Sequence, residues 1–428
     1  MNLSRRGFLK LGAAMASAGA LGATVGCQGA GDKADARRVV VIGGGFGGAT
    51  AAKYIKLFDP DIDVTLIDGK ASFTTCPFSN LVIGGFKDID EITHDFAALE
   101  KRGVNVVKGW VTDVDAESRV VTLEDGRSYE YDRLVASPGI DFDFDAIEGL
   151  TPEIAATRIP HAWQAGEQTL LLRQQLEEME DGGTFILCAP PNPFRCPPGP
   201  YERASLIAGY FKENKPNSKI LILDPKTGFS KETLFREGWT VNYGNMIEWI
   251  GGDFGGGVTK VDPDTMTVTA GGTEYQGDVI NLIPPQRAGK IAQVAGLTDD
   301  SGWCPINPAT FESNLQANIH VIGDACIGSP MPKSGFSANS QAKSCAASIV
   351  AMFHNENPPT PSWVNTCYSL IAPDYGISVA AVYELKDGKI ASVEGAGGVS
   401  PLGGKNAKKE AGFAYDWYDS ITEDIWGS

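Results

Sequence analysis

The chain has 428 residues, and 36 Lys plus Arg against 53 Asp plus Glu give it a formal net charge of −17. That length predicts two or three domains around a large core, and the acidity argues against nucleic acid or an anionic membrane surface as partner. Its 4 histidines, His94, His161, His320 and His354, are scattered and read as structural or surface groups, so no metal site is expected and no haem-attachment pattern is present.

Ser4-Arg5-Arg6-Gly7-Phe8-Leu9-Lys10 is a twin-arginine pattern. The Ala/Gly/Leu stretch that follows, to Gly26, is too short and too weak for a membrane span. A signal peptide over residues 1–30 and a periplasmic location are therefore expected, by a route suited to a protein that acquires its cofactor before export. Thr24-Val25-Gly26-Cys27 departs from a lipoprotein box by having Thr in place of Leu, so a lipid at Cys27 is not expected. Nowhere else is there an apolar run of about 18 residues, so no integral membrane segment is expected in the mature chain. Of 8 cysteines, setting Cys27 aside leaves an odd number, and in an oxidising compartment at least one is unpaired, capped or otherwise used.

Next in chain order is a dinucleotide fingerprint. The β-branched run Arg38 to Ile42 feeds Gly43-Gly44-Gly45-Phe46-Gly47-Gly48 and then a helical segment to Phe58. Gly43 permits the tight turn, Gly45 lets backbone approach a pyrophosphate, and Gly48 lets helix and strand pack closely. The helix N-terminus offers free N–H groups to phosphate. A second strand, Val64 to Ile67, ends at Asp68, about twenty residues beyond the last glycine, where an acid takes the ribose hydroxyls. An adenine dinucleotide is the implied ligand. Cys76, in Thr75-Cys76-Pro77 shortly after Asp68, is placed where a thiol could reach a flavin, although a buried free cysteine fits the residues equally well.

Short strands are expected at Val104 to Lys108, Trp110 to Asp115 and Val120 to Leu123, and Tyr131 to Gly139 reads as a strand and glycine turn returning to the nucleotide domain. A second α/β unit starts near Thr151, with a helix over 165–180 and strands Thr184 to Cys188 and Lys219 to Leu223, the latter ending at Asp224. In place of its glycine turn stands Ala189 to Pro200, rich in proline, which removes donors and locks φ. Nicotinamide binding is therefore not expected. Ala317 to Ala325 is a strand ending in Gly323-Asp324, a second flavin signature in which the acid takes a ribityl hydroxyl, and Gly335 to Phe353 is a long small-residue helix. Beyond the Pro-rich break at 357–361, a strand over 377–384 and an aromatic tail suggest a third, smaller domain. No internal repeat is evident.

Thr75-Cys76-Pro77-Phe78-Ser79-Asn80, the stretch Phe194 to Arg203, and Cys367-Tyr368-Ser369-Leu370-Ile371-Ala372-Pro373 together resemble the flavoprotein subunit of flavocytochrome c sulfide dehydrogenase, a disulfide-reductase-like flavoprotein. The resemblance runs across essentially the whole mature chain. It implies an α/β fold with two Rossmann-like, glutathione-reductase-like domains and a smaller C-terminal α+β domain. The boundaries implied are 37–150 with 285–355 for FAD, 151–284 for the second Rossmann-like domain, and 356–428 for an interface domain. It also implies FAD attached through Cys76, a redox-active Cys196–Cys367 disulfide, Glu202 as base or electrostatic tuner, and a c-type cytochrome partner in a heterodimer. Hydrosulfide would open the disulfide, leaving a persulfide and a thiolate, and two electrons would pass to FAD and then singly to haem. A purely stabilising bridge, and a surface Glu202 paired with Arg203, are the alternatives at those residues. Cys188, Cys304, Cys326 and Cys345 read as buried small hydrophobes or a structural pair. Competing functions are a sulfide:quinone oxidoreductase and a non-catalytic relay subunit of a sulfur-oxidation complex.

Overall fold

The computed structural model describes residues 37–427. The signal-peptide and Cys27 expectations lie outside the described residues.

β-Branched runs buried on both faces build parallel sheets covered by helices. Five such strands form the first sheet, in the order Ile319–Val321, Arg133–Ala136, Arg38–Ile42, Asp63–Asp68, Asn105–Lys108, all parallel. The glycine-turn helix, Phe46–Phe58, and the helix Gly335–Phe353 pack together against it. Their small residues, among them Ala49, Ala52, Ala342 and Ala346, are fully buried and allow that close approach. The last strand of the sheet comes from late in the chain, as the Gly323-Asp324 signature requires.

A second parallel sheet runs Ile247–Ile250, Lys219–Leu223, Thr184–Cys188, Val279–Leu282. The helix Gly199–Asn214 follows the proline loop there. Each parallel sheet is accompanied by a three-stranded antiparallel meander, over Val111–Asp115, Val120–Leu123 and Ser128–Glu130 in the first case and Val258–Asp262, Thr267–Ala270 and Thr273–Gln276 in the second. The architecture therefore repeats where the sequence shows no repeat. Doubly wound, with two nucleotide-domain layouts, the fold is the α/β class expected.

The C-terminal part is a three-stranded antiparallel sheet, Ser362–Ala372, Tyr375–Lys386 and Lys389–Val399, followed by the helix Ala407–Trp426. Trp363, Tyr383, Ile390, Ile421, Ile425 and Trp426 join the apolar core of the first sheet. No helix among the described residues is long and apolar enough to cross a membrane.

Candidate active site

The first sheet ends at a turn that has no room for side chains at two positions. Gly43 has φ +97°, and a Cβ there would stand 2.3 Å from the Ser137 carbonyl oxygen. A Cβ on Gly48 would stand 1.9 Å from the Gly43 oxygen, and one on Gly45 3.0 Å from the Phe73 ring. Asp68 braces the turn: its Oδ2 accepts from Gly44 N at 2.7 Å and its Oδ1 from Lys70 N at 2.8 Å. Burial pushes the Asp68 carboxyl up, against the pull of those two bonds. At the neighbouring strand end, Asp324 follows Gly323, and its Oδ1 is buried without a partner. Arg195 Nη1 lies 3.9 Å from the other oxygen. Burial also pushes Asp324 up, opposed by Arg195 and Lys333. A cradle free of Cβ atoms and an orphaned buried acceptor fit a dinucleotide with a ribityl chain.

Cys76, Cys196, Glu202 and Cys367 line one open cavity, together with Trp163 and Trp417. Gly43, Gly45, Gly48, Asp68 and Asp324 do not line it; Arg195, which does, connects it to Asp324. The Cys76 thiol donates to the Trp163 carbonyl at 3.5 Å. Cys196 adopts φ 57° at the end of the proline loop, its N–H donating to Lys333 O and its carbonyl accepting from Gly199 N, both at 2.8 Å. That turn starts the helix Gly199–Asn214 and presents the sulfur. Gly199 keeps the place clear, since a Cβ there would stand 3.0 Å from Cys196 Sγ. Burial, with Glu202 adding to it, pushes the Cys196 thiol far up. Cys367 lies on the strand Ser362–Ala372, and Asn365, two residues earlier on the same face, donates from Nδ2 to its sulfur at 3.3 Å. Cys196 and Cys367 are unbonded thiols in the structure.

Glu202 is in the first turn of the proline-loop helix. Its Oε1 accepts from Leu370 N and its Oε2 from Asn80 Nδ2, each at 2.8 Å. Burial raises its pKa, and these bonds with Lys231 and Arg203 oppose the rise. It is thus a cavity-wall carboxylate tied to the Cys367 strand. The surface ion pair with Arg203 is not formed among the described residues, because Arg203 bonds instead to Asn80, Asn281 and the carbonyls of His161 and Ala162.

Lys231 and Asn365 went unread in the sequence, and Trp417 was read only as part of the aromatic tail, with no place in the site. Lys231 Nζ holds Cys367 O at 2.8 Å and Ser369 Oγ at 2.9 Å. Trp417 Nε1 is buried with no acceptor. Only its place in an aromatic tail could have drawn attention to Trp417, and nothing local marks the other two. Cys188, Cys304, Cys326 and Cys345 are buried and unbonded. Burial lowers the pKa of His161 to about 3 and of His320 to about 4, so both are neutral structural groups. No cluster among the described residues has the make-up of a metal site.

The two nucleotide-domain layouts, the glycine cradle and the cavity of thiols define a flavoprotein of the pyridine nucleotide-disulfide oxidoreductase class, and that family model matches residues 37–173. Residues 169–284 match the central region of the sulfide dehydrogenase [flavocytochrome c] flavoprotein chain, and residues 359–426 match the flavocytochrome c sulphide dehydrogenase flavin-binding family. The sulfide dehydrogenase flavoprotein chain of Chlorobaculum thiosulfatiphilum is 63% identical over 46 residues, which are 11% of this chain and 96% of that sequence. Mitochondrial sulfide:quinone oxidoreductase of Mus musculus is 22% identical over 75% of this chain and 72% of its own length. The solved sulfide:quinone oxidoreductase of Aquifex aeolicus superposes with a TM-score of 0.72 at 18% identity, over 92% of this chain and 93% of that one. The chain belongs to the family of sulfide dehydrogenase and sulfide:quinone oxidoreductase-like flavoproteins.

Proposed function

We propose that this chain oxidises sulfide at a Cys196–Cys367 redox disulfide and passes the electrons, through FAD held at Cys76, to a c-type cytochrome subunit. The observation that carries the reading is the one cavity lined by Cys76, Cys196, Glu202 and Cys367, which lie far apart in sequence. The matched sulfide dehydrogenase families support the same chemistry.

In the oxidised pair, hydrosulfide attacks one sulfur, a new sulfur–sulfur bond forms as the Cys–Cys bond breaks, and the other cysteine leaves as thiolate. The incoming charge ends on that thiolate, and the persulfide keeps the proton. Glu202 is the base that takes it. Its raised pKa makes it a stronger base than a solvated carboxylate, and the Leu370 and Asn80 donors fix its oxygens. Gly43, Gly45 and Gly48 would leave room for the pyrophosphate of FAD, Asp68 would take the adenosine ribose and Asp324 a ribityl hydroxyl. Bound there, FAD supplies a two-electron acceptor that can release electrons singly. A thioether at Cys76 would keep it from being lost after twin-arginine export to the periplasm, which is part of the proposal.

A quinone acceptor is the second reading, favoured by the sulfide:quinone relatives that align along 75% and 78% of the chain. Mixing sulfide-reduced protein anaerobically with a c-type cytochrome or a short-chain ubiquinone decides between them. Rapid reoxidation by cytochrome alone is expected. Reoxidation by quinone alone would replace the acceptor, and failure of sulfide to reduce the flavin would leave only a relay role.

A further inference from the structure

Arg203 is a buried cation whose charge no carboxylate answers directly. It is 1% exposed and lines the cavity. Nε donates to Asn80 Oδ1 at 3.0 Å, Nη1 to His161 O at 2.9 Å and Asn281 Oδ1 at 2.8 Å, and Nη2 to Ala162 O at 2.5 Å. Every one of these acceptors is neutral. The guanidinium lies over the Trp163 ring, 4.8 Å from its centroid, and Trp163 is itself cavity wall. Four well-placed acceptors take four of its five N–H groups but leave its charge, and an uncompensated buried charge is costly.

The titratable groups around it set where that charge is felt. His161 is neutral. Glu202 is reached only across Asn80, whose Oδ1 accepts from Arg203 and whose Nδ2 donates to Glu202. Arg195 and Lys231 add positive charge, with Asp324 near Arg195 and Glu410 acting on Lys231 from further off. Burial draws the Arg203 pKa down to about 9, opposed by Cys76, Cys196 and Glu202, so it is cationic at neutral pH. In a chain of net charge −17, the thiol cavity thus has two guanidiniums in its wall, Arg195 and Arg203, against one carboxylate, Glu202. We propose that Arg203 is a positioning residue that gathers anionic sulfur at the thiols, favouring hydrosulfide over neutral hydrogen sulfide and stabilising the sulfur anion released when the Cys196–Cys367 pair opens. This rests on the sulfide chemistry proposed above. A purely structural arginine, knitting together the segments at 80, 161–162 and 281, is the competing role.

Two alkylating agents of similar size and opposite electrostatics separate the roles. Phosphine-reduced protein is treated with iodoacetate or iodoacetamide, and modification of Cys196 and Cys367 is followed by peptide mass spectrometry. In the wild type, the iodoacetate-to-iodoacetamide rate ratio is expected to exceed that of free cysteine despite the acidic surface, and Arg203→Gln should lower it by about 3- to 10-fold, with Arg203→Lys retaining most of it. A wild-type ratio below that of free cysteine overturns the proposal even if Arg203→Gln does not fold, and so does an unchanged ratio in folded Arg203→Gln. Because no sulfide turnover is read, the two failures are distinguishable: a flavin that sulfide fails to bleach sinks the proposed function, whereas an unchanged alkylation ratio sinks only the role given to Arg203.

Discussion

Cys76 and Glu202 are the residues at which the proposed chemistry is most exposed to test. The Cys76 sulfur lies in the same cavity as Cys196 and Cys367, with Trp163 O at 3.5 Å as its hydrogen-bond acceptor. Acid-precipitated wild-type protein is expected to stay yellow, and Cys76→Ala to release its flavin into the supernatant. Acid-stable flavin in that variant would require another attachment site. Glu202 has a raised pKa because burial outweighs its two hydrogen bonds. A raised value means that the base is lost, by protonation, as pH falls through a point above the ordinary Glu pKa of about 4.3. The ratio of wild-type to Glu202→Gln bleaching rates by sulfide cancels the ionisation of hydrosulfide itself. It should be about 10² or more near neutrality, the scale of a general base, and fall as pH drops through the Glu202 pKa. A ratio near one at every pH would show that Glu202 moves no proton.

At the scale of elements, the proline loop and the C-terminal helix carry distinct expectations. The second sheet ends its middle strand at Asp224, where a nucleotide domain would offer a carboxylate to a ribose. Here that carboxylate is fully buried and occupied, accepting from Tyr201 OH at 2.6 Å and Trp249 Nε1 at 3.0 Å and pairing with Lys226 Nζ at 2.7 Å. Tyr201 is further stacked on Phe229 at 3.7 Å. With prolines in place of the glycine turn as well, neither NADH nor NADPH is expected to reduce the flavin on anaerobic mixing, and rapid bleaching by either would contradict this account of the second domain. The helix Ala407–Trp426 ends against the glycine turn, where Trp426 Nε1 donates to Gly44 O at 3.3 Å and the ring stacks between Phe73 and His94. Lys53 Nζ reaches the last carbonyls of that helix, at Glu423 and Gly427. Trp426→Ala should cost about 3–5 kcal/mol in denaturant unfolding, as for other buried Trp truncations; a loss below about 1 kcal/mol, no more than an ordinary surface change, would mean the helix is not bound to the turn as described.

For the molecule as a whole, what was legible in the sequence was what is local. The strand, glycine turn and helix at 38–58 follow from periodicity and glycine chemistry, and the helix Gly335–Phe353 was read to the residue. The strand Ser362–Ala372 was missed because its buried positions do not alternate cleanly and a proline-rich break precedes it. The C-terminal helix was missed although Ala407, Ala411, Ala414, Tyr418, Ile421 and Ile425, spaced by three or four, form its buried face. The two thiols met only through the family resemblance, because no local pattern says that the proline loop and the strand Ser362–Ala372 face one cavity. Arg203 entered the sequence reading only through the alternative in which it pairs with a surface Glu202, and its actual partners at Asn80, His161, Ala162 and Asn281 come from other elements.

The central claim is that sulfide reaches the flavin through Cys196 and Cys367, and anaerobic sulfide titration of Cys196→Ser and Cys367→Ser, read as bleaching of the flavin absorbance, tests it most directly. Neither substitution touches Gly43, Gly48, Asp68 or Asp324, so both variants are expected to retain FAD. A bridge that merely stabilised the fold would contribute roughly 5 kcal/mol by the chain-entropy estimate for a long loop, and its loss would lower the melting temperature with bleaching preserved. A redox bridge gives the opposite pattern: folded, yellow protein in which sulfide no longer bleaches the flavin. Wild-type bleaching rates in both variants would mean that sulfide attacks the flavin directly, and the proposed mechanism would be wrong.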